Sequence, residues 1–356
     1  TCSSSKGMIK RCLESNLWDE ALRKFFQVRD MQVDDTPRVC LAEQGLAIDA
    51  EQGQAIDQDN NISQCKKFYG LCSDEHILLK YMTNPTFVVG GAHTCILLNN
   101  NQLTCFGSGS YGELGYGDND DRKEPSGTIV LPQNRTAKMV TAGEFHTCVL
   151  LDNNQVACFG FGGNGQLGYG DNNNRNKPSE TIALPPGRTA KLITAGSRHT
   201  CILLDNNQLT CFGDGVLGQL GYAPGQSKNA PNEIINLPQG RSAKVIIAGS
   251  RQTCILLDNN HLTCFGNGHY YTLGYGDTQN NLDPGAPINL QHGTAKMIAA
   301  GLIHACILLD NNQLTCFGLG GFGQLGYGDE ENKNAPGETI NLGEDADGNA
   351  HSVFSH

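Results

Sequence analysis

Apolar and polar positions from residue 86 onward fall into a phrase that returns five times. Its third copy reads Cys201-Ile-Leu-Leu-Asp-Asn-Asn-Gln-Leu-Thr-Cys-Phe-Gly213, an apolar run, an acid-and-amide reversal and a second apolar run. Copies begin at Cys95, Cys148, Cys201, Cys254 and Cys306, in steps of 53, 53, 53 and 52 residues. A fixed period of this size marks stacked supersecondary units. Asp and Asn tolerate positive φ and bond their own backbone, so residues 205–207 suit a tight turn. A short loop between two apolar runs predicts a β-hairpin. With a three-residue loop, Leu203 faces Leu209 and Cys201 faces Cys211.

Each unit offers four short strands, in the third unit at residues 191–194, 200–204, 209–212 and 234–237. Four strands per 53-residue unit predict the blades of a β-propeller. Five complete blades end near Leu342. Residues 352–354 align with the opening strand of a further blade, so a closed ring of five, an open arc and a ring completed by other segments all remain open.

That register sets two cysteines opposite each other in every hairpin. Opposed residues in a non-hydrogen-bonded pair have Cα atoms about 4.5 Å apart, near the lower limit of disulfide reach. The pairs are Cys95 with Cys105, Cys148 with Cys158, Cys201 with Cys211, Cys254 with Cys264 and Cys306 with Cys316. Buried reduced thiols are one alternative. A Cys/His metal site is another, because His93, His146, His199 and His304 stand two residues before the first cysteine. Zinc pairs usually show C-x2-4-C spacing, which these hairpins lack, and the fourth unit has Gln252 in the histidine position. The disulfide reading is the favoured one, with the histidines as hydrogen-bonding residues at strand starts and no metal or cofactor expected.

Residues 1–85 share nothing with the repeat and predict a small helical module. Apolar residues from Met8 to Phe26 recur at three- and four-residue steps, which marks an amphipathic helix. A second helix is expected from Pro37, with Thr36 as its cap, carrying Val39, Cys40, Leu41, Leu46 and Ala47. A short third is expected at residues 75–82. Of 15 cysteines, five lie here: Cys2, Cys12, Cys40, Cys65 and Cys72. An odd number leaves one free or bonded to another chain.

The formal charge of −11 disfavours a nucleic-acid surface, which is normally basic. No run of 18 apolar residues marks a membrane-spanning helix. The paired cysteines point to an oxidising compartment, either extracellular or an organelle lumen such as the thylakoid lumen, and a start at Thr1 fits a processed chain. Asn61 and Asn134 head N-glycosylation sequons.

A glycine-rich loop follows the third strand. Gly160, Gly162 and Gly165 have the spacing of a dinucleotide fingerprint. No helix follows, and copies recur in other units, so close backbone approach explains them better. Acidic stretches at residues 118–121 and 344–348 lack the ligand spacing of a calcium loop.

Ala195-Gly196-x-x-His199-x-Cys-x-Leu-Leu, then Cys-Phe-Gly, then Gly218-Gln-Leu-Gly221, resembles the repeat of the regulator of chromosome condensation family. The resemblance covers residues 86–355. Gly-Gln-Leu-Gly stands intact at residues 165–168, 218–221 and 323–326, becomes Gly-Glu-Leu-Gly at 112–115, and is lost in the fourth unit. The family implies a propeller, usually of seven blades, used mainly for protein–protein contact. Its members include an exchange factor for a small GTPase and a secreted β-lactamase inhibitor. Five repeats depart from the usual ring, and the paired cysteines resemble an extracytoplasmic variant.

No catalytic constellation is evident, because the repeat spreads its histidines over equivalent positions instead of bringing them together. The sequence therefore predicts a non-catalytic scaffold or accessory subunit that binds other protein subunits. A lectin-like propeller and a GTPase regulator are the alternatives. Tyr116, Tyr169, Tyr222, Tyr275 and Tyr327 repeat at one position, as a lectin would require, but packing explains them equally. Recognition is expected in the variable loops, with His269, Tyr270 and Tyr271 of the fourth unit as a contact.

Overall fold

The computed structural model describes residues 38–41, 46–49 and 87–343. They belong to two units, one within residues 1–78 and one within 79–355. In the first unit, β1 (Arg38–Leu41) pairs antiparallel with β2 (Leu46–Asp49), Cys40 opposite Ala47. This corrects the helix expected from Pro37. The β-branched Val39 and Ile48 favour extended backbone, and Gly45, an interruption in a helix, falls between the two strands. The other two expected helices, and Cys2, Cys12, Cys65, Cys72 and Asn61, lie outside the described residues.

The second unit is all-β and built of blades. The first blade is β3 (Phe87–Val89), β4 (His93–Leu97) and β5 (Leu103–Gly107). The second is β6 (Ala137–Ala142), β7 (His146–Leu151) and β8 (Val156–Gly160). The third is β9 (Ala190–Ala195), β10 (His199–Leu204) and β11 (Leu209–Gly213). The fourth is β12 (Ala243–Ala248), β13 (Gln252–Leu257) and β14 (Leu262–Gly266). The fifth is β15 (Ala295–Ala300), β16 (His304–Leu309) and β17 (Leu314–Gly318). Each is an antiparallel three-stranded sheet with the middle strand second in sequence.

The blades therefore have three strands, not the four expected. The fourth segment meets the third strand at a single isoleucine, as where Ile182 N–H donates to the Val156 carbonyl at 2.8 Å and Ile235 N–H to that of Leu209 at 2.8 Å. Only in the third unit does this reach a β-bridge, Leu209 to Ile235. In the first four units the isoleucine is a buried anchor, and in three units the chain turns away at Leu131-Pro132, Leu184-Pro185 and Leu237-Pro238. Proline has no N–H with which to extend a ladder.

The hairpin register is the one the phrase implies, Cys201 opposite Cys211 and Leu203 opposite Leu209. The third turn residue, Asn207, has φ 62°, the left-handed position of a three-residue hairpin loop. Its side chain accepts from Lys191 Nζ at 2.8 Å, and Asn206 Oδ1 accepts from Gln208 N–H at 3.2 Å. The near-identical hairpin tips are thus structural. All five cysteine pairs are disulfides: Cys95 with Cys105, Cys148 with Cys158, Cys201 with Cys211, Cys254 with Cys264 and Cys306 with Cys316. Each has its Cα atoms 4.1 Å apart. Reduced thiols and a Cys/His metal site are thereby set aside for these ten residues.

The core lies between consecutive blades. Cys95, Cys105 and Leu114 of the first pack with Val140, Val149 and Phe159 of the second. Similar clusters join the second to the third, the third to the fourth and the fourth to the fifth, where Cys254 and Cys264 pack with Ile307 and Phe317. A middle strand covered on both faces reads as an unbroken apolar run, and β7, β10 and β13 are buried along their whole length. In the first and fifth blades the middle strand alternates instead.

Glycine makes this stacking close. Gly168 has φ +80°, and a Cβ there would lie 2.6 Å from the Phe212 ring of the next blade. Gly168→Ala combines left-handed strain with overpacking and is expected to cost roughly 2–4 kcal/mol. Urea unfolding measures it, and a loss below about 1 kcal/mol would show that the joint yields.

Candidate protein-interaction face

The turn after the first strand of each blade and the tip of its glycine loop share one rim. Backbone bonds tie them together: Ser108 N–H to Ala92 O at 2.8 Å, Phe161 to Phe145 at 2.8 Å, Asp214 to Arg198 at 2.8 Å, Asn267 to Arg251 at 2.9 Å and Leu319 to Ile303 at 3.0 Å. The loop closes on itself through a bridge, Gly160 with Arg175 in the second unit and equivalents in the other four. A Cβ on Gly162 would lie 2.1 Å from Asn173 O. Close backbone approach thus accounts for the fingerprint spacing.

Gly-Gln-Leu-Gly shapes the tip. The glutamine side chain reaches back to a tip N–H: Gln166 Oε1 accepts from Asn164 at 2.9 Å, Gln219 from Leu217 at 3.0 Å and Gln324 from Phe322 at 2.8 Å. Glu113 does the same for Tyr111 at 2.8 Å. The fourth unit lacks this device. Thr272 replaces the glutamine and donates instead to Asn267 O. Tyr270 and Tyr271 both sit in the left-handed region, at φ 60° and 62°. Bulky residues rarely hold such angles, and strain of this kind clusters at functional sites.

Large apolar side chains are exposed along this rim: Tyr111, Val216, Tyr270, Leu302 and Phe322, the last 86% exposed. Tyr111 packs against Phe145 and Phe161, with ring centroids 5.2 Å away in each case. His269 stacks edge-on to Tyr270 at 4.1 Å. Of the three fourth-unit residues named from sequence, His269 and Tyr270 point outward and Tyr271 is half-buried. Sequence reasoning missed the other four. Their signal is a large residue at a loop position where neighbouring positions are glycine.

Of the two acidic stretches, residues 344–348 lie outside the described residues, and in the other the aspartates hold their own loop. Asp118 takes both terminal nitrogens of Arg122 at 2.8 Å, and Asp121 accepts from Gly109 N–H at 2.9 Å. Tyr169 Oη bonds both the N–H and the carbonyl of Cys158, at 3.0 and 3.1 Å. In the fourth unit Tyr275 Oη accepts from Cys264 N–H at 3.1 Å. Burial pushes the Tyr169 phenol up to about 12. The recurring tyrosines therefore brace the disulfide strand. Asn134 is exposed in a short turn at φ 54°, accessible to modification.

The histidines bind across blades. His93, His146 and His199 meet Thr147, Thr200 and Thr253 of the following blade through Nε2, at 2.8, 2.9 and 2.8 Å. In the fourth joint Gln252 replaces the histidine and Ala305 the threonine, and Gln252 bonds Gly301 O instead, at 3.2 Å. Among the described residues no group of three or more His, Cys, Asp or Glu is disposed to hold a metal ion, and no helix is long and apolar enough to cross a membrane. The crevice beside Leu290, His292 and Pro336 is shallow and open to solvent and encloses no cavity, whereas ligand sites occupy roughly 300–1,000 Å³.

The profile described as "Regulator of chromosome condensation (RCC1) repeat" matches residues 101–150 and 153–203, and a second profile of that repeat matches 87–113, 138–166, 190–219 and 296–324. The ultraviolet-B receptor UVR8 of Arabidopsis thaliana is 29% identical over 248 residues, 69% of this chain and 56% of the receptor. This chain thus spans little more than half of that relative. Human WBSCR16 superposes with a TM-score of 0.63 at 20% identity, covering 71% of this chain and 65% of that one. Yeast RCC1 (Prp20), in its complex with Kap60, gives 0.61 at 21% identity over 70% and 59% of the respective chains. Residues 87–219 and 296–324, with their shared glycine loops and blade-to-blade stacking, are thus regulator of chromosome condensation (RCC1)-like repeats.

Proposed function

We propose that this chain is a non-catalytic protein-interaction module, a scaffold or accessory subunit of a larger assembly, working in an oxidising compartment outside the cytosol. One observation carries the reading: on a rigid framework, exposed apolar side chains gather on one rim, and the most strained backbone lies there too. Loops on a rigid scaffold commonly carry recognition, and exposed aromatic anchors are what protein interfaces use. The recurring tyrosines are committed to internal bonds, which weighs against one sugar site per blade. Five disulfides favour the extracellular or lumenal setting.

The test is a triple variant, Val216→Ser with Leu302→Ser and Phe322→Ser, the most exposed apolar residues of the rim. These side chains project from loop tips, so folding stability should change by less than about 1 kcal/mol. The assembly isolated from the natural source with wild-type protein should be lost with the variant. Turnover of a small molecule, or sugar binding at several blades, would overturn the reading.

A further inference from the structure

The chain passes from each blade to the next through a short turn, and in the first of these turns two residues depart from the repeat together. Residues 130–136 lie at the hairpin-tip edge, at the far end of the strands from the glycine-loop rim. Ala137 N–H donates to Asn101 O in the first blade's tip at 2.9 Å, and Asp152 N–H in the second blade's tip donates to Thr136 O at 2.9 Å. The equivalent turns at residues 183–189 and 236–242 close in the same way: Arg135 N–H on Pro132 O, Arg188 on Pro185 and Arg241 on Pro238, at 3.1, 3.0 and 3.0 Å. Those two turns hold glycine before the arginine, Gly187 at φ 71° and Gly240 at φ 67°. A Cβ on either would meet nothing within 4 Å, so a side chain at this position projects into solvent. The first turn has Asn134 there, at φ 54°.

Asparagine tolerates the left-handed region, which explains how it can stand in a glycine position but not what the exchange brings. Arginine and a hydroxyl residue follow in all three turns, as Arg135-Thr136, Arg188-Thr189 and Arg241-Ser242, so asparagine in the glycine position completes the sequon Asn-Arg-Thr. Asn134 is exposed and Thr136 half-buried. Among the described residues neither side chain is engaged in a hydrogen bond, whereas the hydroxyl of Ser242 is held by Asp258 Oδ2 at 3.0 Å. The second departure is Val130, 75% exposed in the same turn, where the later units have Ala183, Asn236 and Asn289.

We propose that Asn134 carries an N-linked glycan, and that the hairpin-tip edge is therefore the solvent side of this protein, turned away from its partner. The inference rests on the compartment proposed above, in its extracellular form reached by a secretory route. The donor is a polyprenyl-diphosphate-linked oligosaccharide. Asn134 Nδ2 bonds to the anomeric carbon of the first sugar, the bond from that carbon to the diphosphate oxygen breaks, and Nδ2 gives up one proton as the lipid diphosphate leaves. A glycan is bulky and solubilising, and its hydration offsets the exposed Val130 beside it. From this turn β6 runs six residues to the opposite rim, about 20 Å at about 3.3 Å per residue. The glycan thus blocks contact at the hairpin tips of the first and second blades and leaves Val216, Leu302 and Phe322 free.

The experiment maps peptides of the protein purified from its natural source, with and without peptide-N-glycosidase, by mass spectrometry. The unmodified peptide around residue 134 should be missing before treatment and appear after it with aspartate in place of asparagine. Asn61, which heads the other sequon, is read on its own peptide. The full chain secreted from a eukaryotic host should be modified at the same place. Asn134→Gly restores the residue of the sister turns, so it should fold normally and lose the glycan. Thr136→Ala should lose it too, and Thr136→Ser should keep it. Asn134→Gly should still enter the native assembly, which the rim triple variant should not. Native protein with its disulfides formed and Asn134 unmodified would overturn the proposal while leaving the compartment reading standing. Free thiols together with an unmodified Asn134 would overturn both. Modification that survives Thr136→Ala, or an assembly lost with Asn134→Gly, would also overturn the proposal.

Discussion

Replacing one hairpin's cysteines, Cys201→Ala with Cys211→Ala, should lower the free energy of unfolding by about 2.5–3 kcal/mol. That is the chain-entropy value for closing an 11-residue loop. Two fully buried sulfurs are lost as well, so cavity formation adds to the cost. Reduction of all five bonds removes a stabilisation comparable with the whole stability of an ordinary domain, about 5–15 kcal/mol. Protein held in reductant should therefore unfold under conditions that leave the oxidised form intact. The reason for such dependence is compositional. Aromatic residues make up 7% of the chain, and each joint is filled by aliphatics around one phenylalanine. Most of the sulfurs are inaccessible, while Cys306 is half-exposed, so the bond from Cys306 to Cys316 should be reduced first. Peptide mapping without reductant and urea unfolding with and without it are the measurements. Free thiols at most of the ten positions, or an unfolding midpoint indifferent to reductant, would refute the disulfide reading and remove the main support for an oxidising compartment.

The hairpins were legible because register follows from local chemistry. Three acid-and-amide residues fix the turn, and the turn fixes which residues oppose, so Cys201 against Cys211 needed no tertiary information. Burial of both strand faces was legible too, in the unbroken run from Thr200 to Leu204. The fourth strand was not. Ile235 and its equivalents carry strand-like apolar character because they anchor to the core, yet each makes one backbone bond, and burial pattern alone cannot tell an anchor from a ladder. In residues 38–49 the helix was expected from Val39, Cys40, Leu41, Leu46 and Ala47, but these fall in two short apolar runs that pair as strands. The rim was half legible. The fourth unit drew notice by breaking the repeat, whereas Tyr111, Val216 and Phe322 lie in units that keep it. Their exposure depends on which loop positions project from the joint, a property of stacking between units. The histidines show the same limit from the other side. His199 could be placed at a strand start, but its partner Thr253 lies in the next unit, adjacent to the residue equivalent to His199 itself.

Those histidines make folding sensitive to acid. Thr147 Oγ1 donates to the Glu113 carbonyl at 2.9 Å, so it accepts from His93 Nε2–H, and the imidazole is neutral with Nδ1 unprotonated. His146 and His199 are held in the same way by Thr200 and Thr253. In all three, Nδ1 is buried without a partner, so a proton added there enters an apolar joint. Burial accordingly holds His93 at about 4, His146 at about 3 and His199 at about 4, with the neighbouring His93 and His199 lowering His146 further. An unfolded histidine titrates near 6.5. The folded values are depressed, so the stabilisation is complete above pH 6.5 and is lost as pH falls towards 4, where the unfolded chain takes up protons the folded chain refuses. Each histidine should cost about 2–3 kcal/mol between pH 7 and pH 4.5, and three together should bring the repeat unit close to unfolding at pH 4.5. The aspartates do not confuse this window. Hydrogen bonds from Arg122 and Arg175 hold Asp118 and Asp171 at about 2, and their effect falls below the ordinary aspartate value of 3.8. The fourth joint supplies the control, since Gln252 with Ala305 has no titrating group. His199→Gln with Thr253→Ala copies that solution into the third joint and should flatten the pH dependence by about one third, whatever it does to stability at pH 7. Urea unfolding at pH 7, 6, 5 and 4.5 reads the slope directly. An unchanged slope in the variant, or imidazole resonances assigned to His93, His146 and His199 titrating near 6.5 in the folded protein, would show that these histidines reach solvent and that their burial does not set the acid limit.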